Sequence, residues 1–556
     1  MFSDPVVGDD FFGRQAILDI ILKRANALKS GYRQNVAIIG HQHLGKTSIL
    51  RHFLHIFRDP EVLCVYVEIK IQALDYFVEQ FIRSLLFQFL VQKQVVPTTD
   101  SLTGLAETAM PFIPLTVGRI HEIMSLLKQR HAEEAYARLF ELTSIVKQET
   151  GKHCIVILDE FHRLGEFGVK NTFSNFGKRI MVQKDTMYLL SSSSFSASRR
   201  ILAEKLSLLF GNFERIYLEP FDFETSFQFL EKKIAPAGIP QNLKYFLVAF
   251  TDGQPFFLDT IAKRIRECAR LKNETVISRQ TVGEVLLKLL FESQGVLNQF
   301  FLKIISPWTR SDSRGSHILI LAGMANGVNK LKDLSVLIRR NQRDTSRQIE
   351  ELIEQELIIK TGVFYRFHNK IFKFWMREVY EKKELLLLSS ASGPEAFLHR
   401  MDDMISEYDE LLKMDMTDRV LGLFSQFKNE IVDFGEKKRQ LPHFTEFIKS
   451  PDDTQTLKGN AKNVIAKGHG RCWVCKIAEE KATEREVMNL VRNDVYDKRG
   501  VSTKVLVTLN GADDNAKLLA KEKRVLTLGL SRINMLMDIF GKSPIIRLEQ
   551  ETHRPN

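Results

Sequence analysis

An eight-residue motif, G-x-x-x-x-G-K-T, occupies Gly40–Thr47 and narrows the folds open to this chain. An apolar segment, QNVAIIG, leads into the motif, and a helical pattern, TSILRHFLHIF, follows it. The glycines let the backbone approach a phosphate closely, and the amino end of the following helix directs its N–H groups at the same anion. The pattern therefore predicts a strand, a phosphate-binding loop (Walker A) and a helix.

The motif also assigns roles to its side chains. Lys46 is expected to reach the β- and γ-phosphates of ATP, and the Thr47 hydroxyl is expected to bind Mg²⁺. The other residues assigned to this nucleotide-binding loop are Gly40, His41, Gln42, His43, Leu44, Gly45 and Ser48. The alternative interpretation is an ordinary turn between a strand and a helix.

A second motif, CIVILDEF, delivers two carboxylates, Asp159 and Glu160, at the end of an apolar strand. Asp159 is predicted to hold Mg²⁺. Glu160 is predicted to polarise the attacking water, because a carboxylate within hydrogen-bond reach can accept the proton as the new bond forms. Alone, such a pair would be typical of a solvated turn. Beside a phosphate-binding loop, it predicts ATP hydrolysis with Lys46, Asp159 and Glu160 as catalytic residues.

Further segments extend this α/β pattern towards Pro220. VLCVYVEI, MYLLSSSS and RIYLEP are predicted strands, and the region from about 74 to 150 has mostly helical periodicity. Strands that alternate with helices in this way indicate a parallel sheet. The ATPase core is therefore expected to occupy residues 1–219.

Beyond Pro220 the sequence changes character. Helical periodicity predicts a small helical lid over 220–305. Residues 306–385 show three short helical segments and then LIIKTGVFYRF, two strands about a glycine turn, which is the order of a winged helix. The segment SSASGPE is a predicted linker. A helical connector over 395–450 and a last α/β segment over 451–556 complete the predicted organisation.

The segment FFGRQAIL, just before the first strand, resembles the entry motif of archaeal-type P-loop ATPases related to the AAA+ and STAND groups. Phe12, Gly13 and Arg14 carry the match, and the resemblance implies that they lie near the adenine. It also implies the fold class: an α/β P-loop NTPase with a parallel sheet, a helical lid, a winged-helix domain and a C-terminal restriction-endonuclease-like α/β domain.

Other segments resemble further parts of the same family. LLSSSS resembles its polar sensor strand, whose role would fall to Ser191 or Ser192, and TDGQPFF resembles its lid signature at Gly253 and Pro255. Ordinary strand ends or helix boundaries are the alternatives. The candidates for an arginine that stimulates hydrolysis are Arg215, Arg199 and Arg200.

In the predicted winged helix, the segment RDTSRQIEELIEQELI is the expected recognition helix. A basic cluster near its start is suited to phosphates and base edges in a major groove of DNA, and it comprises Arg339, Arg340, Arg343 and Arg347. Winged helices also bind proteins, and the glutamates later in this helix would repel a DNA backbone. DNA is therefore the expected partner of this cluster, with a protein module as the alternative.

The last segment looks like a restriction-endonuclease-like domain, whose metal chemistry needs an aspartate on one strand and Glu-x-Lys on the next. The corresponding positions are Asn463, Val474 and Lys476, so two of the three groups are missing. A degenerate, inactive nuclease fold is predicted. Migrated carboxylates that would rescue activity are Glu479, Glu484 and Glu486, which otherwise form a solvated helix face.

The chain has five cysteines, an odd and small number that favours a reducing, cytoplasmic compartment. Cys472 and Cys475, with His469 nearby, suggest zinc. Their odd separation on a strand, however, predicts opposite faces. We therefore expect two buried strand thiols. Neither a signal peptide nor a membrane span is expected, because no segment approaches the roughly 20 apolar residues that cross a bilayer.

Three functions fit these observations. The formal charge of +11 favours a polyanionic partner, so the first is an ATPase switched by nucleotide that binds DNA through its winged helix. The second is a STAND-type signalling switch or scaffold, in defence or mobile-element control, that binds protein or associates with itself. The third is an ATP-controlled nuclease. ATP and Mg²⁺ are the expected cofactors in each case.

Overall fold

A computed structural model of the chain describes residues 5–70, 73–96, 101–206, 213–309, 315–385, 393–434, 438–450, 461–468, 471–492 and 501–545. The contacts divide the chain into two compact units. The first comprises Met1–Phe221 with Gln254–Phe256, and the second comprises Asp222–Gly253 with Phe257–Asn556. Among the described residues, no helix is long and apolar enough to cross a membrane.

The first unit is built around a five-stranded parallel sheet, as predicted. Its strands are β1 (Asn35–Ile39), β2 (Val62–Glu68), β3 (His153–Asp159), β4 (Thr186–Ser192) and β5 (Phe213–Tyr217). Its helices are α1 (Gln15–Lys29), α2 (Lys46–Ile56), α3 (Leu74–Gln92), α4 (Leu102–Ala109), α5 (Pro114–Lys128), α6 (Ala132–Leu139), α7 (Leu142–Thr150), α8 (Thr172–Val182) and α9 (Phe195–Arg200). The strand order is β2-β3-β4-β1-β5.

Both faces of this sheet are covered, which explains why its strands are continuous apolar runs. Along β1, Val36 and Ile38 join the core beneath α1 and α2, whereas Ala37 and Ile39 join a larger core with α3 to α8. Five helices, α3 to α7, connect β2 to β3 and supply most of that larger core.

The strand order decides which residues meet at the edge formed by the carboxyl ends of the strands. Strand β4 pairs in parallel with β1 on one side and with β3 on the other, with Ile39 opposite Ser192. Because the carboxyl ends of parallel strands share one edge, the end of β4 lies between the loop that follows β1 and the carboxylates that end β3. The sequence alone did not give this order.

The second unit begins with helices, as the sequence predicted. These are α10 (Phe223–Ile234), α11 (Gln241–Thr251), α12 (Pro255–Lys272), α13 (Arg279–Leu286) and α14 (Val296–Thr309). The next segment has the predicted order of three helices and a hairpin: α15 (Gly315–Ala325), α16 (Leu331–Leu337), α17 (Gln342–Glu354), β6 (Ile358–Thr361) and β7 (Phe364–Phe367). It is followed by α18 (Lys370–Trp375), α19 (Gly393–Lys413) and α20 (Met416–Phe424).

Among the described residues, the elements after α20 include a second sheet, of five strands. After the small hairpin of β8 (Ile431–Asp433) and β9 (Lys438–Gln440), the elements are β10 (Glu446–Ser450), β11 (Ala461–Gly468), β12 (Arg471–Ala478), α21 (Glu484–Arg492), β13 (Val501–Thr508), α22 (Asp514–Glu522), β14 (Leu526–Gly529) and α23 (Leu530–Ile539). β10, β11 and β12 are antiparallel neighbours, and β13 and β14 add in parallel.

The predicted helical connector over 395–450 is helical only as far as Phe424. Its strand β10 pairs with β11 in the C-terminal sheet, and Val420 and Leu423 of α20 are buried in the core of that sheet. Helical periodicity can be recognised within one segment of sequence. The pairing of a short strand such as β10 depends on a partner strand elsewhere in the sequence, so it was not predicted. The predicted linker falls largely on residues outside the described ranges.

The hairpin of β6 and β7 packs against the core of the C-terminal sheet and against β8. Phe364 is buried in the core of that sheet, and Val363 N–H donates a 3.0 Å hydrogen bond to the Ile431 carbonyl. Gly362 has a φ of 70°, and a Cβ there would collide with the backbone of Ile431. The turn of this hairpin is therefore covered by β8.

Candidate functional site

The loop between β1 and α2 has the backbone of a phosphate-binding nest. Gly45 precedes α2 with a φ of 92°, a conformation that favours glycine. A Cβ at Gly40 would lie 2.8 Å from the Leu218 backbone oxygen, so only glycine fits where β1 passes β5 into the loop. Both glycines of the motif are thus required by the backbone path, which brings the amino end of α2 to the loop.

Lys46 and Thr47 open α2 and point into the site. The Lys46 ammonium donates a 2.8 Å hydrogen bond to the His41 carbonyl across the loop, and the residue is only 4% exposed. The Thr47 hydroxyl donates to Asp159 Oδ2 at 2.7 Å. The two motifs separated in sequence are therefore in direct contact.

Asp159 is fully buried and is surrounded by hydroxyl groups. Besides Thr47, it accepts hydrogen bonds from Tyr66, whose oxygen is 3.2 Å from Oδ2, and from Ser191 at Oδ1. Burial, followed by the charges of Asp159 and Glu68, raises the pKa of Tyr66 far above its ordinary value, so this phenol remains a hydrogen-bond donor. Three hydroxyl donors thus compensate this buried carboxylate.

Glu160 follows with a φ of 61°, a left-handed conformation that is strained for a residue with a Cβ. Its Oε2 accepts two hydrogen bonds from Ser193, one from the N–H at 2.8 Å and one from the hydroxyl at 2.7 Å. His162 Nδ1 lies 3.4 Å from the same oxygen. The carboxylate is thus held at the carboxyl end of β4.

The two histidines of the loop lie against aromatic rings. The His41 ring is 6.3 Å from that of Phe195, and the His43 ring is 4.6 Å from that of Phe256. Burial, with a smaller effect of the Lys46 charge, lowers the pKa of His43 to about 4. His43 is therefore neutral at physiological pH and adds no positive charge to the loop.

The entry motif packs against the end of β5. The Arg14 guanidinium lies 4.7 Å from the centre of the Phe221 ring and donates to the Glu219 carbonyl, and Phe12 meets the same ring edge-on at 6.4 Å. Gly13 has a φ of 67°. Phe221 thus joins the three predicted residues in one aromatic and cationic cluster.

The remaining predicted residues occupy varied places. Gln42 is exposed, Leu44 is buried, and the Ser48 hydroxyl accepts a 3.1 Å hydrogen bond from Val6 N–H. The candidate stimulating arginines are all exposed, and they are Arg215 on β5 with Arg199 and Arg200 at the end of α9. In the lid signature, Gly253 has a φ of 68° and Pro255 is the first residue of α12.

The four predicted DNA-contacting arginines lie together at the start of α17. All are exposed, and within the described part of the chain none of their guanidinium groups makes a hydrogen bond or an ion pair. The residues are Arg339 and Arg340 just before the helix and Arg343 and Arg347 within it. The apolar face of α17 is formed by the buried Ile349 and Leu352, whereas Ile353 is only half-buried.

One of the glutamates expected to oppose DNA is turned to a neighbouring helix. Glu351 Oε2 lies 3.1 Å from Nε2 of His317, a buried residue of α15. Glu350 and Glu354 are exposed on α17. The basic start of the helix and its acidic later turns are therefore distinct surfaces.

In the C-terminal sheet, Asn463 and Lys476 are register partners on β11 and β12. Val474 is 4% exposed and packs in an apolar cluster with α21 and α22. Lys476 is buried too, at 7% exposure. The position that would need a metal-binding carboxylate therefore faces an apolar core.

A carboxylate that is influenced by the charge of Lys476, that of Glu486, has a structural role. Glu486 Oε2 accepts hydrogen bonds from Thr483 N–H at 2.7 Å and from its hydroxyl at 2.6 Å, which caps the start of α21. Burial alone would raise the pKa of Glu486, but these bonds and the Lys476 charge bring it below its ordinary value. Glu484 is exposed and Glu479 half-buried.

The two thiols of the C-terminal sheet face opposite sides of β12, as their spacing predicted. Cys475 is buried in the core with α20 and α23, whereas Cys472 packs on the side of α21. His469 lies outside the described residues. Within the described ranges, no group of three or more His, Cys, Asp or Glu side chains is placed to hold a metal.

Sequence reasoning missed four residues that contact the predicted site residues: Tyr66, His162, Ser193 and Phe221. Ser193 and His162 had a signal, because one continues the serine run of β4 and the other lies two positions after Glu160. The sequence contained no such signal for Tyr66 and Phe221. Tyr66 reaches Asp159 because β2 pairs with β3, and Phe221 reaches the entry motif because of the path of the chain after β5.

Several solved structures resemble the chain at low sequence identity. The Walker-type ATPase of Pyrococcus abyssi is 15% identical, with a TM-score of 0.48, over 68% of this chain and 99% of that one. The ORC2 protein of Aeropyrum pernix, in ADPNP–ADP complexes, is 13% identical, with a TM-score of 0.42, over 73% of this chain and 97% of that one. The ORC1 protein of the same organism, in complex with DNA, is 14% identical, with a TM-score of 0.39, over 70% and 97%.

Residues 10–174 match the family model described as an AAA ATPase domain. The matched range contains the loop after β1 and the carboxylates after β3. No curated protein matches the chain. The family match and the parallel sheet support the prediction of a P-loop ATPase for the first unit.

Proposed function

We propose that the first unit binds ATP and hydrolyses it between the Gly40–Thr47 loop and the end of β3. The observation that carries the proposal is the 2.7 Å hydrogen bond from Thr47 to Asp159, which joins the two motifs. Glu160, the next residue, supplies a carboxylate at the same edge of the sheet. The match of residues 10–174 to an AAA ATPase domain supports the same activity.

Lys46 and the start of α2 are assigned to the phosphates. The Lys46 ammonium donates a 2.8 Å hydrogen bond to a neutral carbonyl, that of His41. Charge-assisted hydrogen bonds to an anion are stronger, so we expect the ammonium to exchange this carbonyl for β- and γ-phosphate oxygens. The N–H groups and dipole at the start of α2 act on the same anion.

The donor set beside the loop fits Mg²⁺. A hydroxyl from Thr47 and a carboxylate from Asp159 are the hard oxygen donors that this ion prefers, and both lie at the edge where the phosphates are expected. Bound there, Mg²⁺ would neutralise charge on the phosphate oxygens. Tyr66 and Ser191 would keep the Asp159 carboxylate oriented for this role.

Glu160 is assigned the role of general base. The water oxygen forms a bond to the γ-phosphorus while the bond from that phosphorus to its bridging oxygen breaks, and ADP leaves with the electron pair. The proton lost by the water goes to the Glu160 carboxylate. The experiment is to measure phosphate release from ATP by the native chain and by Glu160→Gln, with ATP affinity measured in parallel.

For the adenine we propose the cluster at the entry motif. Phe12, Gly13 and Arg14 were assigned by resemblance, and Phe221 lies against two of them. An aromatic ring and a guanidinium plane both offer flat faces on which a purine can stack. Phe221→Ala should weaken ATP binding without changing the rate of the bound complex.

For the second unit we propose DNA binding through the start of α17. Four exposed guanidinium groups without partners in the described chain support this assignment. Because the turn of the β6–β7 hairpin is covered by β8, the contact would run through the helix and not through the hairpin. Salt-dependent binding to duplex DNA is the test.

The covered hairpin also favours the second candidate, a STAND-type switch or scaffold that binds a protein or a second copy of itself. A winged helix whose hairpin is covered can present only its recognition helix to DNA, instead of the helix and the hairpin together. Absence of duplex binding by both the native chain and the variant with reversed charge in α17 would favour this candidate.

We propose that the C-terminal sheet is an inactive restriction-endonuclease-like domain. Its antiparallel strands followed by a helix and a parallel strand support the resemblance. Val474 packs among apolar side chains, and Glu486 is occupied as a helix cap. The remaining alternative, an ATP-controlled nuclease, needs a metal-binding carboxylate from another place.

A further inference from the structure

Three consecutive serines at the carboxyl end of β4 contact the end of β3 and the residues that follow it. The side-chain pairs are Ser191 with Asp159, Ser192 with His162, and Ser193 with Glu160. The Ser191 hydroxyl also accepts a 3.3 Å hydrogen bond from Glu160 N–H. Parallel pairing of β3 with β4 makes this possible, because it brings the two strand ends to the same edge. Three consecutive serines thus hold three of the four residues from Asp159 to His162.

The contacts on Glu160 are confined to one of its two oxygens. Ser193 donates from its N–H and from its hydroxyl to Oε2, and His162 Nδ1 faces that oxygen as well. Within the described part of the chain, Oε1 makes no hydrogen bond. One oxygen is therefore fixed, and the other is available to a water molecule.

The contacts of His162 Nδ1 favour one tautomer of this residue. The Ser192 hydroxyl, 2.8 Å from Nδ1, can donate to it or accept from it, because its single proton can also go to the Ser194 carbonyl at 3.2 Å. Glu160 Oε2, 3.4 Å from Nδ1, can only accept, and it therefore favours the tautomer with the proton on Nδ1. Ser192 thus orients the imidazole, and the N–H of that tautomer faces Glu160 Oε2.

We propose that Ser193 and His162 are positioning residues that fix Glu160 Oε2 and leave Oε1 to receive the proton of the attacking water. The inference rests on the proposed ATP hydrolysis and adds two residues to it. The left-handed backbone of Glu160 agrees with this role, because contacts from a distant strand hold the residue in a conformation it would not otherwise favour.

The test uses matched pairs of variants in the full chain. Ser193→Ala removes the hydroxyl donor and leaves the N–H, whereas Ser193→Thr keeps both. His162→Leu removes the ring N–H, whereas His162→Asn keeps a donor near Nδ1. We expect Ser193→Ala and His162→Leu each to lower kcat by roughly tenfold, with an unchanged KM for ATP. Ser193→Thr and His162→Asn, which keep a donor, should retain most of the native kcat.

A double-variant comparison separates positioning from general structural support. In a Glu160→Gln background, Ser193→Ala should change the residual turnover by less than about twofold, because its effect runs through Glu160. An equal loss in both backgrounds, or a loss of ATP affinity in place of kcat, would overturn the inference. So would higher turnover in the Ala and Leu variants.

The outcomes also distinguish this inference from the proposed function. Native turnover that Glu160→Gln lowers, but that Ser193→Ala and His162→Leu leave unchanged, would overturn the positioning role alone. If the native chain binds ATP and releases no phosphate, the proposed hydrolysis fails, and the positioning role fails with it.

Discussion

The Thr47 hydroxyl donates a 2.7 Å hydrogen bond to Asp159 Oδ2 across 112 positions of sequence. This bond joins the start of α2 to the end of β3, and it places a hydroxyl and a carboxylate where a phosphate-bound magnesium ion would need oxygen donors.

Lys46→Ala should abolish measurable ATP binding, because the ammonium is the cationic side chain that the motif directs at the β- and γ-phosphates. We expect affinity to fall by on the order of a hundredfold or more in a titration with a fluorescent ATP analogue. Lys70→Ala, which removes a lysine that pairs with Glu68 on the surface, is the matched control. Equal affinity in the two variants would contradict the assignment.

Acid should destabilise the first unit through His43. Its folded pKa of about 4 is below the roughly 6.5 of an unfolded histidine, so the unfolded chain binds the proton first as the pH falls. The stability that neutral His43 contributes is complete above about pH 6.5 and is lost as the pH approaches 4.

The measurement is hydrogen–deuterium exchange of β1 and β4 at pH 7 and pH 4.5 without nucleotide, with back-correction for intrinsic exchange. His43→Asn is the comparison, since asparagine tolerates the left-handed backbone found there, where φ is 65°. Between pH 7 and pH 4.5, the free energy of opening should fall by less in His43→Asn than in the native chain. We expect the difference between the two proteins to be up to about 2 kcal/mol. Parallel losses in both proteins would show that His43 is not responsible.

Reversal of charge at Arg343 and Arg347 should weaken DNA binding and flatten its salt dependence. Each lost phosphate contact lowers the log–log slope by about 0.9, because fewer condensed cations are released. The measurement is fluorescence anisotropy of a labelled duplex across a salt series. ATP turnover without DNA should be nearly unchanged.

Arg266→Glu with Arg270→Glu is the matched control for that experiment. These residues have the same spacing on α12, are exposed, and make the same change in net charge. Equal weakening by both pairs would indicate a general effect of charge. Binding by neither the native chain nor the variants would favour the protein-partner candidate.

The native chain should not cut DNA with Mg²⁺ or Mn²⁺, with or without ATP. Asn463 and the buried Val474 cannot supply anionic ligands, and Glu486 is occupied at the start of α21. The assay is supercoiled plasmid relaxation and linearisation, with a commercial nuclease as positive control. Cleavage that Lys476→Ala abolishes would show that the C-terminal sheet is an active nuclease.

Local sequence patterns predicted much of the first unit. Gly40 to Thr47 lies between an apolar run and a helical run, and Asp159 ends a second apolar run, so the strands and the loop follow from neighbouring residues. The neighbours of β4 could not be read in the same way. Ser193 therefore entered the site only when the strand order was known, although Ser191 and Ser192 had been considered.

In the second unit, too, the local elements could be predicted from the sequence and the contacts between distant segments could not. Three helices and a hairpin were predicted between 306 and 385 and are present, because their periodicity is local. The burial of Phe364 in the C-terminal core was not predictable, since its partners lie some 60 to 180 residues further along the chain. That contact changes the expected interface, because it covers the hairpin that a winged helix would offer to DNA.

The most direct test of the account is phosphate release by Glu160→Gln. The substitution keeps the size and most hydrogen bonding of the side chain but removes its ability to accept a proton, and Glu166→Gln, an exposed neighbour, is the control. We predict turnover reduced by on the order of a hundredfold or more, with ATP affinity retained within a few fold and Glu166→Gln like the native chain. Turnover of Glu160→Gln within twofold of native would contradict the account.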